Sequence, residues 1–175
     1  ADSPETRGLA SFTTDMLMTG TKQLNFQQLH EKIESIGASL SIGTGHLATT
    51  FFGQCLREDL ETLWSLLVEI VREPAFAEKH FKRVRSQILT SIAIQNQDST
   101  EMASQAFNRA LYNAHPYAHS SIGYAQTVSA LQIPQLETFH ATRYGPSGLV
   151  MAVCGGIEPE RAREAFANTL GAWQN

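Results

Sequence analysis

The run Gly8-Leu9-Ala10-Ser11-Phe12-Thr13-Thr14-Asp15-Met16-Leu17-Met18-Thr19-Gly20-Thr21 decides how the rest of the chain is read. Leu9, Phe12, Met16 and Leu17 recur at helical spacing, and Gly20-Thr21-Lys22 ends the helix. Ser11 and Asp15 stand four residues apart, so they share one face, with Thr14 beside them.

Working outward, Asn25 is an N-cap for a helix from about Phe26 to Ile36, with Leu29, Ile33 and Ile36 as its apolar stripe and Gly37 as its stop. Two strands follow. Ser39 to Ile42 alternates strictly, and His46 to Leu56 is rich in Thr and Phe, with the turn at Gly43 to Gly45. Helices are expected over Glu58 to Arg72, Glu78 to Gln95, and from an Asp98 cap to Tyr112. His115 to Tyr124 reads as a loop, Ile133-Pro134 opens a short helix, and Glu158-Pro159-Glu160 opens the last one. Gly148 to Cys154 is a nearly continuous apolar run, which points to a central strand covered on both faces. The expected fold is α+β, a mainly antiparallel sheet with helices packed on one face. Three visible strands are few for such a core, and one reading is that further strands precede Ala1.

The chain has 175 residues, 42% of them apolar and 17% charged, with a net charge of −4. That composition supplies a full core. Without a basic patch it argues against nucleic acid as a partner. No apolar run is long enough for a membrane-spanning helix. Cys55 and Cys154 both sit in strand-like apolar runs and read as buried free thiols, although a bond between them stays open. His115 and His119 lie in a proline-containing loop with no acid nearby, which favours packing and loop capping over metal binding. His30, His46, His80 and His140 are scattered.

The run from Gly8 to Thr21 resembles the signature helix of the pitrilysin/insulinase metallopeptidase family, which in active members carries H-x-x-E-H. Gly8, Ala10, Met16, Gly20 and Thr21 match its frame. Ile36-Gly37-Ala38, the helix from Phe76 to Ile88, His115-Pro116-Tyr117 with Gly123, and Tyr144 to Ile157 keep step with the family in order, so the resemblance extends to about Trp173. It implies a single pitrilysin-like metallopeptidase-half domain over residues 1–175, as a fragment of a longer two-domain protein. Exposure of Val150 and Ala152 would count against it.

Inside the frame the chemistry departs. By the resemblance, Ser11 stands at the first histidine, Thr14 at the catalytic glutamate, Asp15 at the second histidine and Ser91 at the third ligand, a glutamate. A serine hydroxyl stays protonated at neutral pH, one carboxylate cannot hold a catalytic zinc, and Thr14 cannot act as general base. The chain is therefore expected to carry no catalytic residues, to bind no metal or cofactor, and to leave zinc to an active partner. The resemblance implies a non-catalytic half or subunit that closes a peptide chamber around an H-x-x-E-H subunit. The substrate peptide would lie along Leu40, Ser41, Ile42, Gly43 and Thr44, although Ser41-Ile42 replaces the Asn-Ala pair common there. The alternative is a structural subunit of an assembly unrelated to proteolysis. An independent enzyme using other residues finds no nucleophile elbow or phosphate loop. The family's paired subunits are often exported, so the periplasm is expected, with the cytoplasm as alternative.

Overall fold

Phe12, Met16 and Leu17 are fully removed from solvent, and the fold is built around the helix that carries them. The computed structural model describes residues 2–170 and Trp173. Helix α1 (Leu9–Leu17) is covered by α4 (Glu78–Gln95), α7 (Ile133–Arg143) and strand β1 (Ser39–Thr44). The Phe12 ring stacks on Phe81 of α4, centroids 4.8 Å apart and nearly parallel. Phe81, Val84, Ile88 and Ile92 of α4 form one buried stripe. Leu29 and Ile33 of α2 (Phe26–Ser35), Leu66 and Ile70 of α3 (Leu60–Arg72), Val128 of α6 (Ala125–Ala130) and Leu136 of α7 complete the core. Helix α8 (Pro159–Thr169) is tied to α3 by Trp64 Nε1 donating to Thr169 Oγ1 at 2.9 Å. Helix α5 (Ser99–Tyr112) has no buried residue.

The caps follow the sequence reading. The Asn25 side chain accepts from Gln28 N at 3.0 Å while Gln28 Oε1 accepts from Asn25 N at 3.0 Å, which closes a capping box. Asp98 Oδ1 accepts from the backbone N–H of Thr100 and of Glu101. Gly37, at φ 58°, ends α2 in a Schellman turn, with Gly37 N donating to Glu34 O and Ala38 N to Ile33 O. Gly8 and Gly123 meet backbone to backbone. A Cβ on Gly8 would lie 2.6 Å from the Ile122 carbonyl oxygen, so only glycine admits the contact that brings the 122–123 loop to the start of α1.

Strand β1 pairs antiparallel with β2 (Thr49–Gln54), Ser39 opposite Gln54 and Thr44 opposite Thr49. Leu40, Ile42 and Phe51 pack against the helices, while Ser41 and Phe52 face solvent, so the helices cover one face of the sheet as expected. The turn lies one step later than the sequence suggested. Gly43 is paired with Thr50 inside the ladder, and Gly45 N donating to Ala48 O at 3.0 Å makes the turn.

Two expectations are corrected. Leu149 to Cys154 is not a buried central strand. Val150 is 91% exposed, Ala152 is exposed too, and the described residues contain a single sheet of two strands. An apolar run is buried only where neighbouring strands and helices cover it, and no described strand flanks this one. Cys154, expected to be buried, is exposed on the same segment, while Cys55 is half-buried, and both thiols are free.

Truncation of Phe12 removes a ring from the centre of the core, whereas Val150 contributes no described packing. Phe12→Ala is expected to lower the free energy of unfolding by about 3–5 kcal/mol, and Val150→Ala to change it by less than about 0.5 kcal/mol, both read from urea titrations. A loss at Val150 as large as that at Phe12 would show the run to be covered in solution.

Candidate functional site

Polar residues on a buried helix need partners, and Thr13 and Thr14 of α1 find them in its own backbone and in the hydroxyls of two neighbours. Thr13 Oγ1 donates to Leu9 O at 2.8 Å and Thr14 Oγ1 to Ala10 O at 2.9 Å. With that proton spent, the hydroxyls bonded to Thr14 Oγ1 must be donors. They are Tyr144 Oη at 2.8 Å and Thr44 Oγ1 at the end of β1. Thr49 Oγ1 lies 3.3 Å from both Thr44 Oγ1 and Tyr144 Oη. Burial pushes the Tyr144 phenol up, so it stays a hydroxyl that can donate. Thr14 thus pins the hairpin and the end of α7 to α1. Neither Tyr144 nor Thr44 could be recognised as its partner from sequence spacing.

The adjacent face of α1 opens into a cleft of about 340 Å³ between α1, α2 and α4. Asp15, Met18 and Thr19 line it from α1 and its end, and Phe26 and His30 from α2. Helix α4 adds Arg83, Val84, Gln87, Ile88 and Ser91, and Ile122 closes one side. Asp15 and Ser91 are therefore brought to one cleft. Ser11 is buried in the helix and is not among the residues lining it, and Thr14 faces the hydroxyl cluster instead.

Asp15 is open to the water of the cleft yet ringed by protein, and this partial burial pushes its carboxyl up to about 6. No hydrogen-bond or ion-pair partner reaches it among the described residues. Arg83, on the opposite wall, lies over the Phe26 ring at 5.3 Å and donates to Gln87 Oε1 at 3.5 Å. His30 Nε2 donates to Met18 O at 3.2 Å.

One carboxylate and one serine hydroxyl do not make a catalytic zinc site, which takes three good protein ligands and an open position. Among the described residues no group of three or more His, Cys, Asp or Glu side chains converges to hold a metal. The loop histidines are in structural use. His115 Nδ1 accepts from Tyr117 N, capping the turn at Pro116–Ala118, and His119 Nε2 accepts from Arg7 at 2.7 Å.

Leu40 to Thr44 forms β1, whose side away from β2 is unpaired among the described residues, leaving backbone donors and acceptors open at that edge. No helix among the described residues is long and apolar enough to cross a membrane.

Residues 1–124 match the family described as Insulinase (Peptidase family M16). The chain is 28% identical over 167 residues to an uncharacterized zinc protease of Mycobacterium leprae, covering 93% of this chain and 38% of that protein. It superposes with a TM-score of 0.90 and 27% identity on the inactive domain of an M16 peptidase from Pseudomonas fluorescens, covering 95% of this chain and 41% of that one. It shares its fold, TM-score 0.85 at 22% identity, with the periplasmic protease PqqL from Escherichia coli, covering 98% of this chain and 20% of that one. The chain spans about two fifths of the length of the first two.

Because the carboxyl of Asp15 is raised, its ionised form is disfavoured in the fold. Its protonated form fits at no cost below its unfolded value near 4, and stability is lost as pH rises from there through about 6. Asp15→Asn is expected to leave stability unchanged near pH 4 and to raise it at about pH 7.5. The gain should be about 1 kcal/mol, well below what a sealed interior would impose, because solvent reaches the side chain. Urea titrations of both proteins at the two pH values check this, and a variant less stable than the parent at the higher pH would refute it.

Proposed function

This chain belongs to the insulinase peptidase family, M16, and we propose that it acts there as a half without a zinc centre, completing the peptide chamber of a partner that carries H-x-x-E-H. The observation that carries this reading is a fold that superposes on an M16 half at a TM-score of 0.90, in a chain whose described residues bring no three His, Cys, Asp or Glu side chains together for a metal. Helix α1, by the resemblance the family's metal helix, runs from Leu9 to Leu17; of Ser11, Thr14 and Asp15 only Asp15 lines the cleft, and Thr14 is bound up in holding the hairpin. The likeness to an M16 inactive domain supports the same role.

In this reading zinc is held by the partner, which is the second half of the clamshell or a separate catalytic subunit. A peptide adds as a further strand along Leu40 to Thr44, where the edge of β1 is open and Ser41 and Gly43 face solvent. Its backbone would bond to the edge regardless of side-chain identity, which suits a chamber that handles many peptides. We place the protein in the periplasm, on the likeness to PqqL.

The test is native purification of the tagged protein from its own cells, with the complex identified by mass spectrometry. The expected result is a partner bearing H-x-x-E-H and peptidase activity in the complex. That activity should vanish when the partner's motif glutamate is replaced by glutamine, and the chain alone should not cleave peptides. Peptide hydrolysis by the chain alone, or an assembly without such a subunit, would overturn the proposal.

A further inference from the structure

We propose that the cleft between α1, α2 and α4 binds a small zwitterion, an α-amino acid or a short peptide with both ends free, through Asp15 and Arg83. This goes beyond the role proposed above and does not depend on any partner half.

The cleft carries one carboxylate and one guanidinium, and they do not pair with each other or with any other ion among the described residues. Both side chains are exposed in the cleft, so an incoming ligand can reach each of them without first breaking an ion pair. An ammonium group on Asp15 and a carboxylate on Arg83 would each form a charge-assisted hydrogen bond, and the planar fork of arginine suits a carboxylate. The Arg83 head group is steadied by the Phe26 ring and by Gln87, so little order is lost on binding. The pair is neutral in sum, which selects against ligands with a net charge. Met18, Val84, Ile88 and Ile122 supply an apolar wall for a side chain, and the hydroxyl of Ser91 adds a further hydrogen-bonding group. The volume of about 340 Å³ lies at the lower end of ligand sites, roughly 300–1,000 Å³. The burial that raises the Asp15 carboxyl agrees with an anion short of a cation, and at about pH 7.5 it is still mostly ionised.

The experiment is calorimetric titration of the whole chain at about pH 7.5 with alanyl-leucine, its N-acetyl and C-terminal amide forms, and free leucine. Alanyl-leucine is expected to bind saturably with a Kd of about 1 mM or tighter, and each blocked form at least about tenfold more weakly. Asp15→Asn should weaken the free dipeptide but not the acetylated one, and Arg83→Gln the free dipeptide but not the amide. Both substituted side chains face the cleft water, and circular dichroism verifies that the variants fold. Leucine binding as well as the dipeptide assigns the site to free amino acids, and binding of the dipeptide alone assigns it to peptides. No saturable binding of either, or binding indifferent to the blocking groups and to both substitutions, would overturn the proposal.

Discussion

Helix α1 can be buried on most sides because Thr13 and Thr14 carry small hydroxyls that bond to the helix backbone and, from Thr14, to hydroxyls of neighbouring elements. Thr13 and Thr14 each return a proton to a carbonyl one turn back. The spare lone pairs of Thr14 then collect the hydroxyls of Tyr144 and Thr44. A buried polar group without such bonds costs on the order of 1–3 kcal/mol, so this small network is what allows Phe12, Met16 and Leu17 to sit at the centre of the core. The hairpin is anchored through Thr44 and Thr49, and the end of α7 through Tyr144. A glutamate at position 14 would bring a charge into this cluster and a demand for water. Threonine at position 14 supplies the brace without that charge.

Much of this was legible in the sequence, and for a physical reason. The spacing of Leu9, Phe12, Met16 and Leu17 reports a helix with a buried face, and Asn25, Gly37 and Asp98 report local capping that depends on few neighbours. The resemblance in the frame around Ser11 to Asp15 led to the family that residues 1–124 match. Leu149 to Cys154 misled, because an apolar run states a preference for burial but cannot say what covers it. Val150 and Ala152 are exposed in a chain whose residues 1–124 match the family, so exposure of this run does not count against membership. The site was only half readable. Asp15 and Ser91 were named in advance and share a cleft, but Arg83, Phe26 and Tyr144 meet α1 only through tertiary packing, which leaves no periodic trace.

The cleft and the brace lie on neighbouring faces of the same helix and have different physical characters. The brace is a cluster of hydroxyls bonded to one another across α1, the hairpin and the end of α7, buried at Thr14 and Tyr144 and half-buried at Thr44 and Thr49. The cleft is wet and lined by two charges that do not meet. A catalytic zinc takes three good protein ligands, and the described lining of the cleft has one carboxylate, Asp15, and one imidazole, His30, whose Nε2 is already bonded to Met18 O. The described residues present an open strand edge at β1 and a cleft of ligand size beside α1.

The most direct measurement is a zinc titration of the parent beside the combined variant Ser11→His, Asp15→His and Ser91→Glu, which installs the three ligands and leaves the Thr14 brace in place, under identical conditions. If the geometry of the site is kept and only its donors are lost, the parent takes up no stoichiometric zinc, while the variant binds one ion per chain with a Kd of about 1 µM or weaker, since the groups that orient the ligands have also changed. Zinc uptake by the parent equal to that of the variant, whether strong or negligible in both, would contradict the account.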